Sequence, residues 1–308
     1  MMSDVVQVPW SGWGEEVVNT AAHQALAKEA ADQSITLLKN QANTLPLAAK
    51  TRAGAGMRVA VMGRNANATA NMLGNYFGTA PYLISPLEGL GHYAKTSYND
   101  GASIASAVAE VAHVDAVVST AAGIANRVAT ASFSDVSRWC WNGQVLVVGL
   151  LSDCSLNGKR AHGSACDGGK SDEAEGHDRT SLLLPGTQNT LIAEVSAAAA
   201  KQRKPVVLVI MSGGPLDVTA AKMDRNVGAI VWCGYPGQSG GLAVADVLFG
   251  TTNPAGRLTL TWYPESFTKQ AKITDMGMRP NPLTHNPGRS YRCLAIRPAP
   301  FVPLLSMW

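Results

Sequence analysis

The densest cluster of polar side chains in this 308-residue sequence lies at residues 172–179, which read DEAEGHDR. Four carboxylates this close together repel one another, so they need a cation such as Arg179 or raised pKa values. A carboxyl group with a raised pKa is what a general acid requires. The cluster is thus a candidate for acid/base chemistry, but composition alone favours a solvated acidic loop. The four carboxylates are Asp172, Glu173, Glu175 and Asp178.

A second candidate is the stretch 237–241, GQSGG, which matches the G-x-S-x-G pattern of a serine nucleophile elbow. Asp275 and His285 follow Ser239 in the order of an α/β-hydrolase triad. In such an elbow, however, the serine directly follows its strand, and here the predicted strand ends earlier, near Cys233. We therefore interpret the stretch as a glycine-rich helix start with free N–H groups facing an oxygen-rich ligand. A serine hydrolase using Ser239 remains the alternative.

Composition argues against several other classes of protein. The net charge is +3, the basic residues are scattered, and aromatic residues make up only 6%, so a nucleic-acid surface is not expected. No apolar run is long enough to span a membrane, and the first residues do not resemble a signal peptide. The sequence contains no C-x-x-C pair and no G-x-G-x-x-G after a strand, so neither a zinc site nor a nucleotide cofactor is predicted.

Two further features leave their alternatives open. Cys154 and Cys166 lie in one glycine-rich stretch and are either paired or free. Asn67-Ala68-Thr69 is an N-glycosylation sequon, which has meaning only in a secreted protein.

Short apolar runs that are not alternated with polar residues predict strands buried on both faces, as in a parallel sheet. Helical patterns separate several of them, which predicts a layered α/β fold with ligands beyond the carboxyl ends of the strands. Trp232, Trp262 and Tyr263 are expected to pack in the core rather than to stack on sugar rings. The predicted strands cover 57–63, 116–119, 145–150, 205–211 and 227–233, and the predicted helices cover 21–40, 103–113, 183–200 and 241–249.

Several motifs taken together resemble the second domain of family 3 glycoside hydrolases, in the β-xylosidase or α-arabinofuranosidase branch. The resemblance covers residues 20–118, 145–150 and 173–292, and no single short pattern carries it. It implies a three-layer α/β sandwich with a mostly parallel sheet. The motifs are ITLLKN (35–40), VAVMG (59–63), EAEGHDR (173–179), LPG (184–186), MSGGP (211–215), GYPGQ (234–238), NPAGR (253–257), TWYP (261–264) and PGRSYR (287–292).

The resemblance also implies how the site works. In this family an N-terminal (β/α)8 barrel supplies an aspartate nucleophile, and the sandwich supplies a glutamate acid/base from the loop that matches 173–179. By that resemblance Glu173 is the acid/base, Glu175 is the alternative, and Asp178 with Arg179 anchors the loop. The implied activity is retaining hydrolysis of terminal β-linked xylose or arabinose from xylan-type oligosaccharides. The resemblance implies no cofactor, metal, nucleic acid or membrane. It does imply an extracellular location.

The chain departs from the family pattern in ways that define the predicted domains. We expect an irregular N-terminal segment at 1–19, the sandwich at 20–292 and an irregular tail at 293–308. Residues 120–143 and 151–172 are interpreted as insertions. The barrel has no counterpart here, and Ser152-Asp153-Cys154 mimics the nucleophile motif in the wrong domain, so the nucleophile is not assigned. This chain alone is expected to be weakly active or inactive, and a non-catalytic carbohydrate-binding or scaffolding module is a further alternative.

Overall fold

The computed structural model of the protein describes residues 8–47, 56–67, 69–74, 77–114, 116–119, 148–150, 179–204 and 206–293. The strands in this part of the chain are β1 (Thr36–Asn40), β2 (Arg58–Met62), β3 (Lys95–Asn99), β4 (Ala116–Ser119), β5 (Val148–Leu150), β6 (Val206–Ile210) and β7 (Val227–Trp232). The α-helices are α1 (Ala21–Ser34), α2 (Pro86–Gly91), α3 (Ile104–Glu110), α4 (Gln188–Lys201), α5 (Thr219–Met223), α6 (Gly240–Phe249) and α7 (Ser290–Cys293). Short 3-10 turns include Glu15–Val17, Gln41–Asn43, Arg64–Ala66, Ala70–Leu73, Val111–His113 and Glu265–Lys269.

All seven strands join one sheet in the order β1-β7-β6-β4-β2-β3, with β5 paired to β6. Every pairing is parallel except that of β1 with β7. The sheet has a hydrophobic core on each face. Alternate residues of β6 enter the two cores: Val206, Leu208 and Ile210 face one, and Val207 and Val209 face the other. The first core is covered by α3, α4 and α5 and the second by α1, α2 and α6. The predicted three-layer α/β sandwich is confirmed.

The first predicted helix, 21–40, is wrong in its last six residues. The helix ends at Ser34, and Thr36–Asn40 forms β1, which pairs antiparallel with the edge of β7. The apolar and β-branched residues at this point fit either a helix or a strand. The strand forms because its backbone pairs with the N–H and C=O groups at the edge of β7. In addition, α4 begins at Gln188 rather than near 183.

The elements that the sequence analysis missed are short or polar. The edge strand β3 reads KTSYN, so it has no apolar run to reveal it. The helices α2 and α5 contain six and five residues, too few to show a helical period.

The strands β4 and β5 occupy successive positions along the same edge of β6. Val118 pairs with Val207 and Ser119 with Leu208, and then Val148 pairs with Leu208 and Gly149 with Val209. The two short strands therefore continue one register, as the two halves of a single strand would. Among the described residues, no helix is both long and apolar enough to cross a membrane.

Candidate functional site

Parallel pairing brings the carboxyl ends of β2, β6 and β7 to the same edge of the sheet, where ligands bind in folds of this kind. The segments that follow these strands begin at Gly63, Met211 and Cys233. The chain that leads to α4 also passes this edge, starting from Arg179. We therefore take this edge as the candidate site.

Arg179 is the only member of the predicted acid/base loop among the described residues. It is half-buried, and its Nη2 donates a hydrogen bond of 3.0 Å to the carbonyl oxygen of Pro215. Pro215 closes the MSGGP segment after β6, so the end of the acidic cluster lies at the carboxyl edge of the sheet. Glu173, Glu175 and Asp178 lie outside the described residues, so their roles and the Asp178–Arg179 ion pair stay predictions.

The segment after β6 is held by the last residue of β7. The Trp232 indole N–H donates to the Ser212 carbonyl oxygen at 3.0 Å and lies 3.2 Å from its hydroxyl oxygen. The Ser212 hydroxyl in turn donates to the Gly214 carbonyl at 2.8 Å. Trp232 packs edge to face on Trp262, which is 2% exposed, with ring centroids 5.6 Å apart. Both tryptophans therefore pack in the core, as predicted, and the segment after β6 lies on a rigid support.

Tyr235 joins three of the segments at this edge. A Cβ atom added at Gly213 would lie 2.9 Å from the Tyr235 ring, and one at Gly74 would lie 3.0 Å from it. Gly74 also has a φ of +68°, which disfavours any side chain there. The ring of Tyr235 is therefore clamped between the segments after β6 and β2, a contact that no sequence pattern signalled.

Two carboxylates that the sequence analysis did not single out hold the residues after Arg179. Glu265 Oε2 accepts hydrogen bonds from the Leu182 amide at 2.6 Å and from the Ser181 hydroxyl at 3.0 Å. Asp217 Oδ2 accepts from the Glu265 amide at 2.8 Å, and the Asp217 amide donates to the Leu182 carbonyl at 2.6 Å. Each is an isolated acid in its own stretch of sequence, so no local signal could have identified it.

Ser239 does not have the geometry of a nucleophile. It is 3% exposed and its hydroxyl lies 3.0 Å from the Tyr82 hydroxyl. Asp275 instead accepts hydrogen bonds from Thr284 and Asn286, and His285 is exposed on its own turn. The serine hydrolase alternative therefore finds no support in the described part of the chain.

The glycine-rich start of α6 also differs from its prediction. The Gly240 amide donates to the Gly237 carbonyl and the Gly241 amide donates to the Ile84 carbonyl, both at 3.0 Å. These N–H groups are therefore used inside the fold and do not face a ligand. The glycines serve packing instead, because a Cβ atom at Gly241 would lie 2.0 Å from the Ser85 carbonyl oxygen.

Cys233, directly after β7, is the one cysteine at this edge in the described chain. Burial raises the pKa of its thiol from 9.0 to about 12, and its Sγ contacts the Ile210 carbonyl at 3.3 Å. A buried thiol with such a pKa is not a nucleophile at neutral pH. Cys140, Cys154 and Cys166 lie outside the described residues. Across the described ranges, no group of three or more His, Cys, Asp or Glu side chains could hold a metal ion.

Nearly the whole chain is similar to known proteins. The family described as "Glycosyl hydrolase family 3 C-terminal domain" matches residues 35–291. Beta-D-xylosidase 3 of Arabidopsis thaliana is 42% identical over 283 residues, which are 92% of this chain and 31% of that protein. Beta-xylosidase/alpha-L-arabinofuranosidase 2 of Medicago sativa subsp. varia is also 42% identical, over 94% of this chain and 32% of its own length.

Among solved structures, the GH3 exo-beta-xylosidase XlnD in complex with a xylobiose aziridine activity-based probe is similar, with a TM-score of 0.70 and 32% sequence identity. The match covers 95% of this chain and 32% of XlnD. The chain thus spans about one third of the length of the relatives that it matches.

Proposed function

Starting from the fact that this chain belongs to glycosyl hydrolase family 3, we propose that it supplies the acid/base half of a retaining glycosidase. Glu173 is the proposed acid/base, with Glu175 as the alternative, and Asp178 and Arg179 anchor their loop. The aspartate nucleophile is proposed to lie on a barrel that corresponds to the part of the relatives that this chain does not match. The observation that carries the proposal is the bond from Arg179 to Pro215, because it supports a loop exit at the carboxyl edge of the sheet.

The proposed reaction is a double displacement with two carboxyl groups about 5 Å apart. The nucleophile attacks the anomeric carbon while the Glu173 carboxyl protonates the leaving oxygen. The Glu173 carboxylate then removes a proton from water, which hydrolyses the covalent intermediate. The rigid support under the segment after β6 favours this role, since a general acid must be held within hydrogen-bond reach of its proton acceptor.

The proposed substrates are xylan-type oligosaccharides with terminal β-linked xylose or arabinose. This assignment follows the names of the relatives from Arabidopsis and Medicago and the bound xylobiose probe of XlnD. We also propose that the protein is secreted. Asn67, in the sequon, is exposed in the structure, which supports that location.

The proposal is tested by placing residues 20–292 into the Arabidopsis relative in place of its matching third. The chimera should release p-nitrophenol from p-nitrophenyl β-xyloside, whereas the 308-residue chain alone should give little turnover, since it needs a nucleophile from elsewhere. In the chimera, E173Q should lower turnover of xylobiose by about 10²- to 10⁴-fold, the usual contribution of a general acid.

The same variant should lose less activity on the p-nitrophenyl substrate, because nitrophenolate departs with little protonation. Added azide should restore turnover and yield a β-xylosyl azide, because azide attacks the intermediate without a general base. E194Q, an exposed glutamate on α4, is the matched control. If E175Q alone shows this pattern, the acid/base is Glu175, and if neither variant does, the proposed function is wrong.

A further inference from the structure

Glu265 and Asp217 form a closed bracket around the chain that leaves the acidic cluster. Three hydrogen bonds reach Ser181 and Leu182 from this bracket: two end on Glu265 Oε2, and the third runs from the Asp217 amide to the Leu182 carbonyl. Both backbone groups of Leu182 are thereby satisfied by residues far away in sequence. The two-residue segment is fixed in position as well as in direction.

The bracket is itself braced. Asp217 Oδ2 accepts the Glu265 amide at 2.8 Å while its Oδ1 accepts the Thr219 amide at the start of α5 at 2.9 Å. Glu265 begins a 3-10 turn that is anchored by Phe267, 8% exposed and stacked on Tyr263 with centroids 4.0 Å apart. Both carboxylates are thus positioned by packed elements rather than by solvent-exposed loops.

The distances suit charge-assisted hydrogen bonds, which are about twice as strong as neutral ones. A single oxygen of the Glu265 side chain accepts both bonds at once, which a carboxylate or an amide oxygen can do because each has two lone pairs. Further along the chain, Leu184 is already fixed by packing, because it is 4% exposed and lies in the core. The bracket therefore fixes Ser181 and Leu182, two of the four residues between Arg179 and that core contact.

We propose that Glu265, braced by Asp217, is a positioning residue for the acid/base loop, because it fixes where the loop leaves the carboxyl edge of the sheet. This inference rests on the proposed function, since Glu173 lies only six positions before Arg179. Glu265 does not touch the substrate in this scheme. It acts by holding Ser181 and Leu182, the residues that follow the loop on which the acid is carried.

The test uses the full 308-residue chain labelled with 13C-glutamate. Two readouts are measured in each variant: the hydrogen-exchange rate of the Leu182 amide and the titration midpoint of the Glu173 carboxyl by NMR. E265L should accelerate Leu182 exchange at least tenfold and move the Glu173 midpoint. E265Q should leave both close to the parent values, because its amide oxygen still accepts the two bonds. S181A, which removes one bond without touching Glu265, should give a smaller change, and E194Q should give none.

E265Q also removes the charge of Glu265, so it separates positioning from a through-space charge effect. Equal midpoint shifts in E265L and E265Q would overturn the inference, and so would an unchanged midpoint in E265L. If E265L does not fold, an unchanged midpoint and unchanged Leu182 exchange in S181A would overturn it.

Failure of the proposed function is detected separately. If E173Q leaves xylobiose turnover of the chimera unchanged, the acid assignment fails whatever the bracket does. If E173Q abolishes that turnover while E265L leaves the Glu173 midpoint unchanged, only the positioning role fails.

Discussion

Lys28 on α1 lies at the centre of a partly buried ionic network. Its Nζ is 2.6 Å from Asp32 Oδ1 and 2.6 Å from Asp246 Oδ2, and the Tyr93 hydroxyl donates to the other oxygen of Asp246 at 2.5 Å. The network joins α1 to α6 and to the chain after α2. Burial alone lowers the pKa of Lys28, but hydrogen bonds and charges from Asp246 and Asp32 outweigh burial, so the pKa is raised above 10.5. Burial and the bond to Asp246 also raise the pKa of Tyr93 above 10.0.

The signs of these shifts predict a pH dependence of stability. Groups whose pKa is raised in the folded protein contribute stability below the unfolded pKa, and that stability is lost as the pH rises through the folded pKa. K28M should therefore lower the free energy of unfolding by about 1–2 kcal/mol at pH 8, since the pair is only partly buried. The gap between K28M and the parent should narrow above pH 10.5, as measured by urea denaturation. K269M, at an exposed lysine, should stay near the parent throughout, and a K28M gap that widens with pH would contradict the argument.

At the same scale, the residues of the candidate site divide by whether they form a local pattern. The acidic cluster, the MSGGP segment and the GYPGQ segment were identified from sequence because each concentrates unusual residues in a short stretch. Asp217, Glu265 and the contacts of the Tyr235 ring were not, because each depends on residues that are distant along the chain. Ser239 shows the opposite case: its local pattern suggested a nucleophile, and burial against Tyr82 removes that role.

At the scale of elements, the registers of β4 and β5 bear on the proposed insertion at 120–143. Val118 and Val148 pair with consecutive residues of β6, Val207 and Leu208. A chain that passed directly from Val118 to Val148 would therefore form one continuous strand. This supports the proposal that the residues between them interrupt a strand of the sandwich domain.

Two deletions test the interpretation that β4 and β5 are parts of one interrupted strand. Removal of residues 119–147 joins Val118 to Val148 in register and should keep the thermal midpoint within a few degrees of the parent. Removal of 120–147 joins Ser119 to Val148, which both pair with Leu208, so the strand shifts by one residue and its side chains exchange faces. This second deletion should unfold at a clearly lower temperature, as followed by circular dichroism. Equal stability of the two deletions would argue against a single interrupted strand.

The strands that were predicted correctly share one property. This property is clear for β2, β6 and β7, which are buried on both faces, so their composition alone distinguishes them. The predicted strands at 116–119 and 145–150 also match β4 and β5. β1 and β3 lie at the two edges of the sheet, where only one side is paired and polar residues are tolerated. The edge strands therefore depend on contacts with their neighbours, which the sequence does not display.

At the scale of the whole molecule, we propose that the candidate site is one side of a shared active site. The chain matches about a third of each relative, and Arg179, which ends the proposed acid/base loop, lies at the edge to which the proposed barrel would contribute the nucleophile. Two-part sites of this kind require that each part hold its own carboxyl group rigidly, because the reaction tolerates little error in their separation. In the proposed scheme, the bracket formed by Asp217 and Glu265 serves that requirement by holding Ser181 and Leu182.

The proposed secretion gives a prediction at the scale of the whole molecule. Asn67 is exposed, and its side-chain oxygen accepts a bond of 3.3 Å from Ser85, which leaves the nitrogen that carries a glycan directed away from that contact. Protein secreted from a eukaryotic host should lose the mass of one N-glycan on treatment with peptide N-glycosidase. N67Q should abolish that loss, and N71Q, outside the sequon, should not. Secreted protein without any glycan at Asn67 would contradict the use of this sequon.

The sequence by itself determined the layered α/β class, the buried parallel strands and the position of the acidic cluster. Burial on both faces and dense local chemistry leave their mark in consecutive residues, so these features need no partner to be recognised. Only the tertiary structure decided that residues 36–40 form an edge strand, that Ser239 is buried and that Glu265 and Asp217 hold Ser181 and Leu182. Each of these depends on groups that lie far apart along the chain, and the folded arrangement alone brings them within hydrogen-bonding distance.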